Sequence, residues 1–197
     1  MNMFKGLAVA ATVFTSMMAS SVGAVTLTFK DSANLPTVIN PMPVADATTG
    51  TVNEGVTGEI PGFRRDPFEN TALAGIESYT SVQNDGSATY LTALSNIASF
   101  IWGSPDEYNT IEFKLGGTSQ AVIDGTIGVR PPNGNGFSSV VLTTPFLFDE
   151  LVFSNDPQNN AFEIANLSVG QVPLPAAAWL LIGAFGGLGI LARRRTA

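Results

Sequence analysis

Carboxylates are the side chains of this 197-residue chain that could do chemistry, because the chain contains neither histidine nor cysteine. Without histidine, Ser-His-Asp and Cys-His catalysis and the usual zinc sites are excluded. Sixteen acidic residues remain, and a pair of carboxylates is the machinery of a glycoside hydrolase. Two adjacent pairs are candidates: Asp106, Glu107, Asp149 and Glu150. Nothing in their spacing joins them into one site, so no catalytic residue is predicted.

A second group of side chains that could do chemistry lies in the stretch FIWGSPDEYNTIEF, residues 100–113. In one interpretation the stretch is a hairpin, with Trp102 in the core, Tyr108 packed at the strand mouth, and Asp106 and Asn109 binding the turn backbone. In the other, the same four side chains form a rim that binds a glycan or an ion. Sugar rings stack on aromatic side chains, and carboxylate and amide groups bind hydroxyls. Both interpretations stay open.

Short strands separated by turns must position these side chains. VTLTF and NTIEFKL alternate apolar and polar residues, which is the period of a half-buried strand. Six further strands are predicted: SATYLTAL, IASFIW, AVIDGTIGV, FSSVVLTT, LFDELVFS and AFEIANLSV. Turn formers such as NDGS, at residues 84–87, separate them, and residues 31–62 predict long loops or irregular edge structure. In AFEIANLSV the alternation slips by one residue, which predicts a β-bulge at Ala165 or Asn166. Residues 25–170 are therefore predicted to form one all-β domain, a jelly-roll-like β-sandwich.

The first 24 residues have the order of a secretory signal peptide. Lys5 gives a basic start, and the apolar segment at residues 6–18 is too short to span a bilayer. Small side chains follow at Val22 and Ala24. This pattern predicts a signal helix that signal peptidase cuts after Ala24, and a mature chain that starts at Val25 and is exported.

Residues 171–197 have the order of a membrane stop signal. The seventeen residues from Ala176 to Ala192 are uncharged, and as a helix they would be roughly 25 Å long, enough for a thin membrane. Clustered cations resist translocation, and three follow this run: Arg193, Arg194 and Arg195. Pro173 and Pro175 precede it and favour an extended segment that a protease could accept.

This order of proline motif, apolar helix and arginine cluster resembles the PEP-CTERM sorting signal of exosortase-dependent bacterial surface proteins. Trp179 and the glycines along the helix fit the same pattern. The usual Pro-Glu-Pro is replaced by the VPLPA variant, formed by Val172, Pro173, Leu174, Pro175 and Ala176. The resemblance implies that a membrane-embedded exosortase cuts at this motif. The protein would then be released or transferred to the cell surface or an exopolysaccharide matrix, and the missing glutamate leaves open which exosortase acts.

The body resembles a group of exosortase-dependent surface proteins that carry a W-G-S-x-D-x-Y-N motif and a final A-F-E-I-x-N-L strand. GFRRDPFE precedes both motifs here, and the matching residues are Trp102, Gly103, Ser104, Asp106, Tyr108, Asn109, Ala161, Phe162, Glu163, Ile164, Asn166 and Leu167. The resemblance implies a surface β-sandwich protein and supplies no activity.

Charge limits the partners of the body. Residues 25–170 hold all sixteen acidic residues and five basic ones, a formal charge of −11. Such a body repels nucleic acid, so a nucleic-acid partner is excluded. Such acidity can recruit Ca²⁺ but more often serves solubility, and no other cofactor is expected. Arg64 and Arg65, beside Asp66 and Glu69, predict a solvated loop of ion pairs.

Three functions follow from these features. The first is a non-enzymatic cell-surface or matrix protein that acts in adhesion or exopolysaccharide binding. The second is a carboxylate-dependent, calcium-assisted polysaccharide hydrolase. The third is a structural protein whose membrane anchor is never cut. Expected partners are the export machinery with signal peptidase, the exosortase, the membrane before processing and, for the first function, exopolysaccharide.

Overall fold

A computed structural model of the protein describes residues 25–30, 39–69, 71–103, 105–125, 137–156 and 161–171. Within these ranges all regular structure is β-strand, arranged as one antiparallel sheet. The all-β prediction is therefore confirmed for this part of the chain. No described residue belongs to a helix that could cross a membrane. The predicted signal peptide and the sorting tail from Val172 onward lie outside the described residues.

Seven strands make up the sheet: β1 (Thr26–Lys30), β2 (Ala47–Val56), β3 (Tyr79–Gly103), β4 (Asn109–Leu115), β5 (Thr118–Asp124), β6 (Phe137–Asn155) and β7 (Phe162–Gly170). They follow the order β2-β3-β6-β4-β5, with β1 paired to β6 and β7 paired to β3. Every predicted strand overlaps one of these seven. SATYLTAL and IASFIW are parts of one strand, β3, and FSSVVLTT and LFDELVFS are parts of β6.

Of two local predictions in the first half of the chain, one is wrong and the other is resolved in favour of one alternative. The NDGS segment is not a turn between strands, because β3 continues through it. Asn84 and Asp85 have positive φ angles of 42° and 59°, and the register with β2 shifts beside them, so the segment bulges within β3. Residues 47–56, predicted as part of long loops or irregular edge structure, form the edge strand β2, whose register with β3 shifts twice. The strand alternates weakly since most of its side chains are exposed.

The two long strands, β3 and β6, pair with each other along most of their length, and the other neighbour of each strand changes midway. Strand β2 pairs with residues 79–89 of β3 and β7 with residues 97–103, whereas β1 pairs with residues 139–143 of β6 and β4 with residues 150–155. The first half of β3 pairs with the second half of β6, between residues 87–91 and 150–154, and the second half of β3 pairs with residues 137–143. The register shifts between Leu91 and Ile97, where β3 passes from one set of partners to the other.

Strand β7 is bonded on both sides at its start. Residues 162–164 pair with residues 80–82 near the beginning of β3, and residues 163–165 pair with residues 101–103 at its end. Further along, the register slips where Ser99 faces Ser168 and Ile101 faces Ala165. Asn166 lies within this slip with a positive φ of 54°, so the predicted bulge is confirmed.

Aromatic side chains fill the main core. Trp102 stacks on Phe162 with ring centroids 5.0 Å apart, and Phe100 meets Phe153 edge to face at 5.3 Å. Ile101 points to the opposite face of β3, since side chains alternate along a strand. There it forms a smaller apolar cluster with Phe68, Tyr79 and Ala165. Strand β7 is therefore buried on both faces, under the core on one side and the 57–78 loop on the other.

Truncation of Trp102 tests this core. Trp102→Ala removes a fully buried ring, so we expect the free energy of unfolding to fall by about 3–5 kcal/mol. Val122→Ala is the control, because Val122 is 60% exposed and its loss should cost less than about 1 kcal/mol. Urea unfolding followed by circular dichroism measures both values. Equal small losses in the two variants would show that Trp102 is not a core residue.

Candidate functional site

The structure separates Trp102 from the other three residues proposed as a binding rim. Trp102 is fully buried, so it does not lie on a rim. The alternative prediction, which placed Trp102 in the core, is confirmed. Asn109 is buried at the start of β4, and its N–H donates to the Asp106 carbonyl at 3.0 Å. The Tyr108 hydroxyl donates to Asp106 Oδ2 at 2.7 Å. Of the four, only Asp106 lines a surface pocket.

The connection that contains these residues is not a hairpin. Among the described strands, β3 and β4 do not pair with each other, because β6 lies between them. The turn after Gly103 therefore carries the chain across β6. The hairpin interpretation is wrong on this point, although its polar turn is present.

The four carboxylates considered for catalysis do not form one cluster. Asp106 and Glu107 precede β4, whereas Asp149 accepts from the Gly116 N–H at 2.9 Å beyond its far end. Glu150 forms an ion pair with Lys114 at 3.2 Å. In the described parts of the chain, no group of three or more acidic side chains is placed to hold a metal ion.

Three stretches that are distant in sequence meet around one surface pocket of about 260 Å³. They are GFRRDPFE, the turn in WGSPDEYNTIEF, and the start of AFEIANLSV. The pocket is lined by Glu59, Gly62, Phe63, Arg64, Arg65, Asp106, Ala161 and Glu163. The sequence predicted a functional role for Asp106 alone among these residues.

Sheet pairing places Glu163 at this junction. It faces Ser81 on one side of β7 and Gly103 on the other. A Cβ atom on Gly103 would lie 2.7 Å from the Glu163 Cβ, which is closer than real Cβ contacts allow, and a tight 3.2 Å from its Oε2. The absence of a side chain at Gly103 therefore makes room for Glu163.

Buried hydrogen bonds fix the loop over the pocket. The Asp66 carboxylate accepts from the Phe68 N–H at 2.8 Å and from the Gly75 N–H at 2.7 Å. Gln83 Nε2 donates to the Phe63 carbonyl at 3.0 Å, which ties the loop to β3. The predicted loop of ion pairs is only partly correct: Arg65 pairs with Glu69, but Asp66 is buried and holds the backbone instead.

Glu163 is the most unusual group in the pocket. Its side chain is 2% exposed, and Oε1 accepts a 2.8 Å hydrogen bond from the Arg65 N–H. Oε2 is also buried and has no hydrogen-bond partner among the described residues. Burial raises the pKa of Glu163 to about 8, the Arg65 N–H opposes this rise, and the nearby charge of Asp106 adds to it. The carboxyl therefore holds a proton at neutral pH.

The pocket offers charges of both signs beside an aromatic ring. Arg64 and Arg65 supply hydrogen-bond donors, whereas Glu59 and Asp106 supply acceptors. Phe63 is 63% exposed at the same place. This combination can bind a polar ligand through several hydrogen bonds, with the ring as an apolar contact.

Sequence reasoning missed Glu163, Arg64, Arg65 and Phe63 as parts of one site. The alternation in AFEIANLSV indicated that Glu163 points away from Phe162 and Ile164. Glu163 is a single acidic residue with apolar residues on both sides. This pattern indicated that its face of the strand is also buried.

Comparisons of the chain with protein-family models, with curated proteins and with solved structures find no match. The candidate function is therefore inferred from the residues of this chain.

The buried carboxyl predicts how stability depends on pH. The pKa of Glu163 is about 8 in the folded state and near the ordinary value of about 4.3 in the unfolded state. Between these values the folded state binds more protons, so the free energy of unfolding falls as pH rises through this window. Glu163→Gln keeps an acceptor for the Arg65 N–H and removes the titration.

From about pH 4 to about pH 9, we expect the stability of the E163Q variant relative to wild type to rise by roughly 3–5 kcal/mol. Urea unfolding at several pH values measures this difference. Glu107→Gln is the control, because Glu107 is exposed in the turn, and its profile should follow wild type. Parallel profiles for E163Q and wild type would show that Glu163 does not titrate in this window.

Proposed function

We propose that this chain is an exported protein of the cell surface or extracellular matrix, sorted by an exosortase at its tail, that binds exopolysaccharide without catalysis. The observation that carries the proposal is the order of three features along the chain. A signal-like segment at residues 1–24 precedes an all-β body, and the VPLPA motif, apolar run and three arginines follow it. The first segment has the pattern of an export signal, and the last has the pattern of a stop-transfer and sorting signal.

The end of the folded body fits this sorting route. Strand β7 ends at Gly170, and the Gln171 amide donates to the Leu94 carbonyl. The body is thus anchored one residue before the VPLPA motif begins at Val172. A cut at this motif would leave every described strand intact.

Within this proposal the sheet forms a jelly-roll-like β-sandwich. Two features support it: the second neighbour of β3 and of β6 changes midway along each strand, and side chains from both halves meet in one core. Phe153, from the second half of β6, lies 5.7 Å from Tyr90 and 5.3 Å from Phe100, which are in opposite halves of β3. Such packing is typical of two facing layers.

A carboxylate-dependent hydrolase is the second candidate, because Asp106 and Glu163 share one pocket and their environments differ. A glutamic acid that keeps its proton at neutral pH beside an aspartate is the arrangement of a general acid with its partner. However, Glu163 Oε1 is bound to the Arg65 N–H and Oε2 is buried. A glycosidic oxygen would reach either atom only if the Arg65 backbone moved, so we place binding first.

Intact mass of the protein in separated cell fractions tests the proposal. We expect a matrix species that starts at Val25, ends near Pro175 and co-sediments with the exopolysaccharide of the producing cell. A membrane species that keeps Arg193, Arg194 and Arg195 would favour the uncut anchor instead. A processed species that no cell-wall or matrix glycan retains would contradict polysaccharide binding. Turnover of a polysaccharide panel that Asp106→Asn abolishes would favour the hydrolase.

A further inference from the structure

We infer that the pocket between the 59–65 loop, the Asp106 turn and the start of β7 binds one uncharged sugar residue, with the exposed Phe63 ring as its stacking surface. This inference rests on the proposed polysaccharide-binding function, for which it names the site and the ligand class. Nothing in the sequence motifs assigned Phe63 to a site.

The size of the pocket suits a single ring. Its volume of about 260 Å³ lies just below the roughly 300–1,000 Å³ of sites that enclose drug-sized ligands. One hexose unit fits such a space, whereas a longer oligosaccharide would extend beyond it. Neighbouring units of a polysaccharide would therefore lie on the open side.

The charges of the lining favour hydroxyl groups over an ionic ligand. Guanidinium groups only donate hydrogen bonds and carboxylates only accept them. A carboxylate ligand would face Asp106 and Glu59, and a cation would face Arg64 and Arg65. A hydroxyl group both donates and accepts, so an uncharged polyol can satisfy both kinds of partner. The formal charge of −11 on residues 25–170 also repels polyanionic chains.

Phe63 supplies the apolar contact that the C–H face of a sugar ring needs. It is the only exposed aromatic side chain among those that the structure describes. Its backbone is held on both sides, since its N–H donates to the Ile60 carbonyl at 3.0 Å and its carbonyl accepts from Gln83 Nε2. The backbone of Phe63 is therefore held beside the polar lining, and its ring remains open to solvent.

Glu163 supports the pocket from beneath and does not contact the ligand. Its Oε1 holds the Arg65 backbone, and its Oε2 is closed off beside Gly103. It is thus a positioning residue that keeps the 59–65 loop against β7. The groups left to touch the sugar are Phe63, the two arginines, Asp106 and Glu59.

The test uses the full-length protein in a zwitterionic detergent that carries no sugar head group. The probes are immobilised oligosaccharides of glucose, galactose, mannose and N-acetylglucosamine, with glucuronate and galacturonate oligomers as charged counterparts. Phe63→Ala and Asp106→Asn probe the site. Ile76→Ala is the matched control. Ile76 is 67% exposed on the 57–78 loop, which includes residues 59–65, and it does not line the pocket. Circular dichroism establishes that each variant is folded.

We expect wild type to bind at least one uncharged oligosaccharide more tightly than any uronate oligomer. Phe63→Ala and Asp106→Asn should each weaken that binding by roughly tenfold, and Ile76→Ala should leave it within about twofold. Binding that neither site variant weakens would overturn the site and leave the proposed function standing. A preference for uronates would overturn the ligand class. Absence of binding to every probe would overturn this inference, and the proposed function would then depend on co-sedimentation with the producer's own polysaccharide.

Discussion

The arrangement of the pocket depends on one constraint. The carboxyl group of Glu163, at the start of β7, is closed off from water. Transfer of a carboxylate into a protein interior is costly unless it is paired or keeps its proton. Glu163 meets this requirement by holding its proton and by accepting one hydrogen bond from the Arg65 backbone. The same bond joins residues 98 positions apart, so the 59–65 loop stays where its polar side chains surround one space.

The sheet explains why an acidic side chain is buried at this point. Strand β7 has backbone partners on both edges at its start and apolar clusters on both faces, so no side of it meets solvent freely. Gly103 and the aromatic stack of Trp102 on Phe162 belong to the same junction. Residues of the W-G-S-x-D-x-Y-N motif thus act mainly in packing and turn formation. In the proposed site, ligand contact falls to Asp106 and to Glu59, Phe63 and the two arginines of the 59–65 loop.

The sequence predicts local structure better than it predicts contacts between distant segments. Alternation in NTIEFKL predicted β4, and the slip in AFEIANLSV predicted a bulge at Ala165 or Asn166, because both depend on neighbouring residues. The β3–β4 connection looked like a hairpin, since nothing in its residues indicates that β6 lies between the two strands. Trp102 had two open interpretations for the same reason. The Arg65–Glu163 hydrogen bond depends on pairing between distant segments, and no pattern of neighbouring residues predicts it.

Titration of the Glu163 carboxyl carbon by ¹³C NMR tests most directly whether this side chain forms the closed floor of the pocket. Labelled glutamate makes each carboxyl visible, and the E163Q variant identifies the signal of Glu163 by its loss. Our account predicts a midpoint at about pH 8, well separated from the exposed glutamates. A midpoint near the ordinary glutamate value of about 4.3 would contradict it, since Glu163 would then be solvated and the loop would not be held as described.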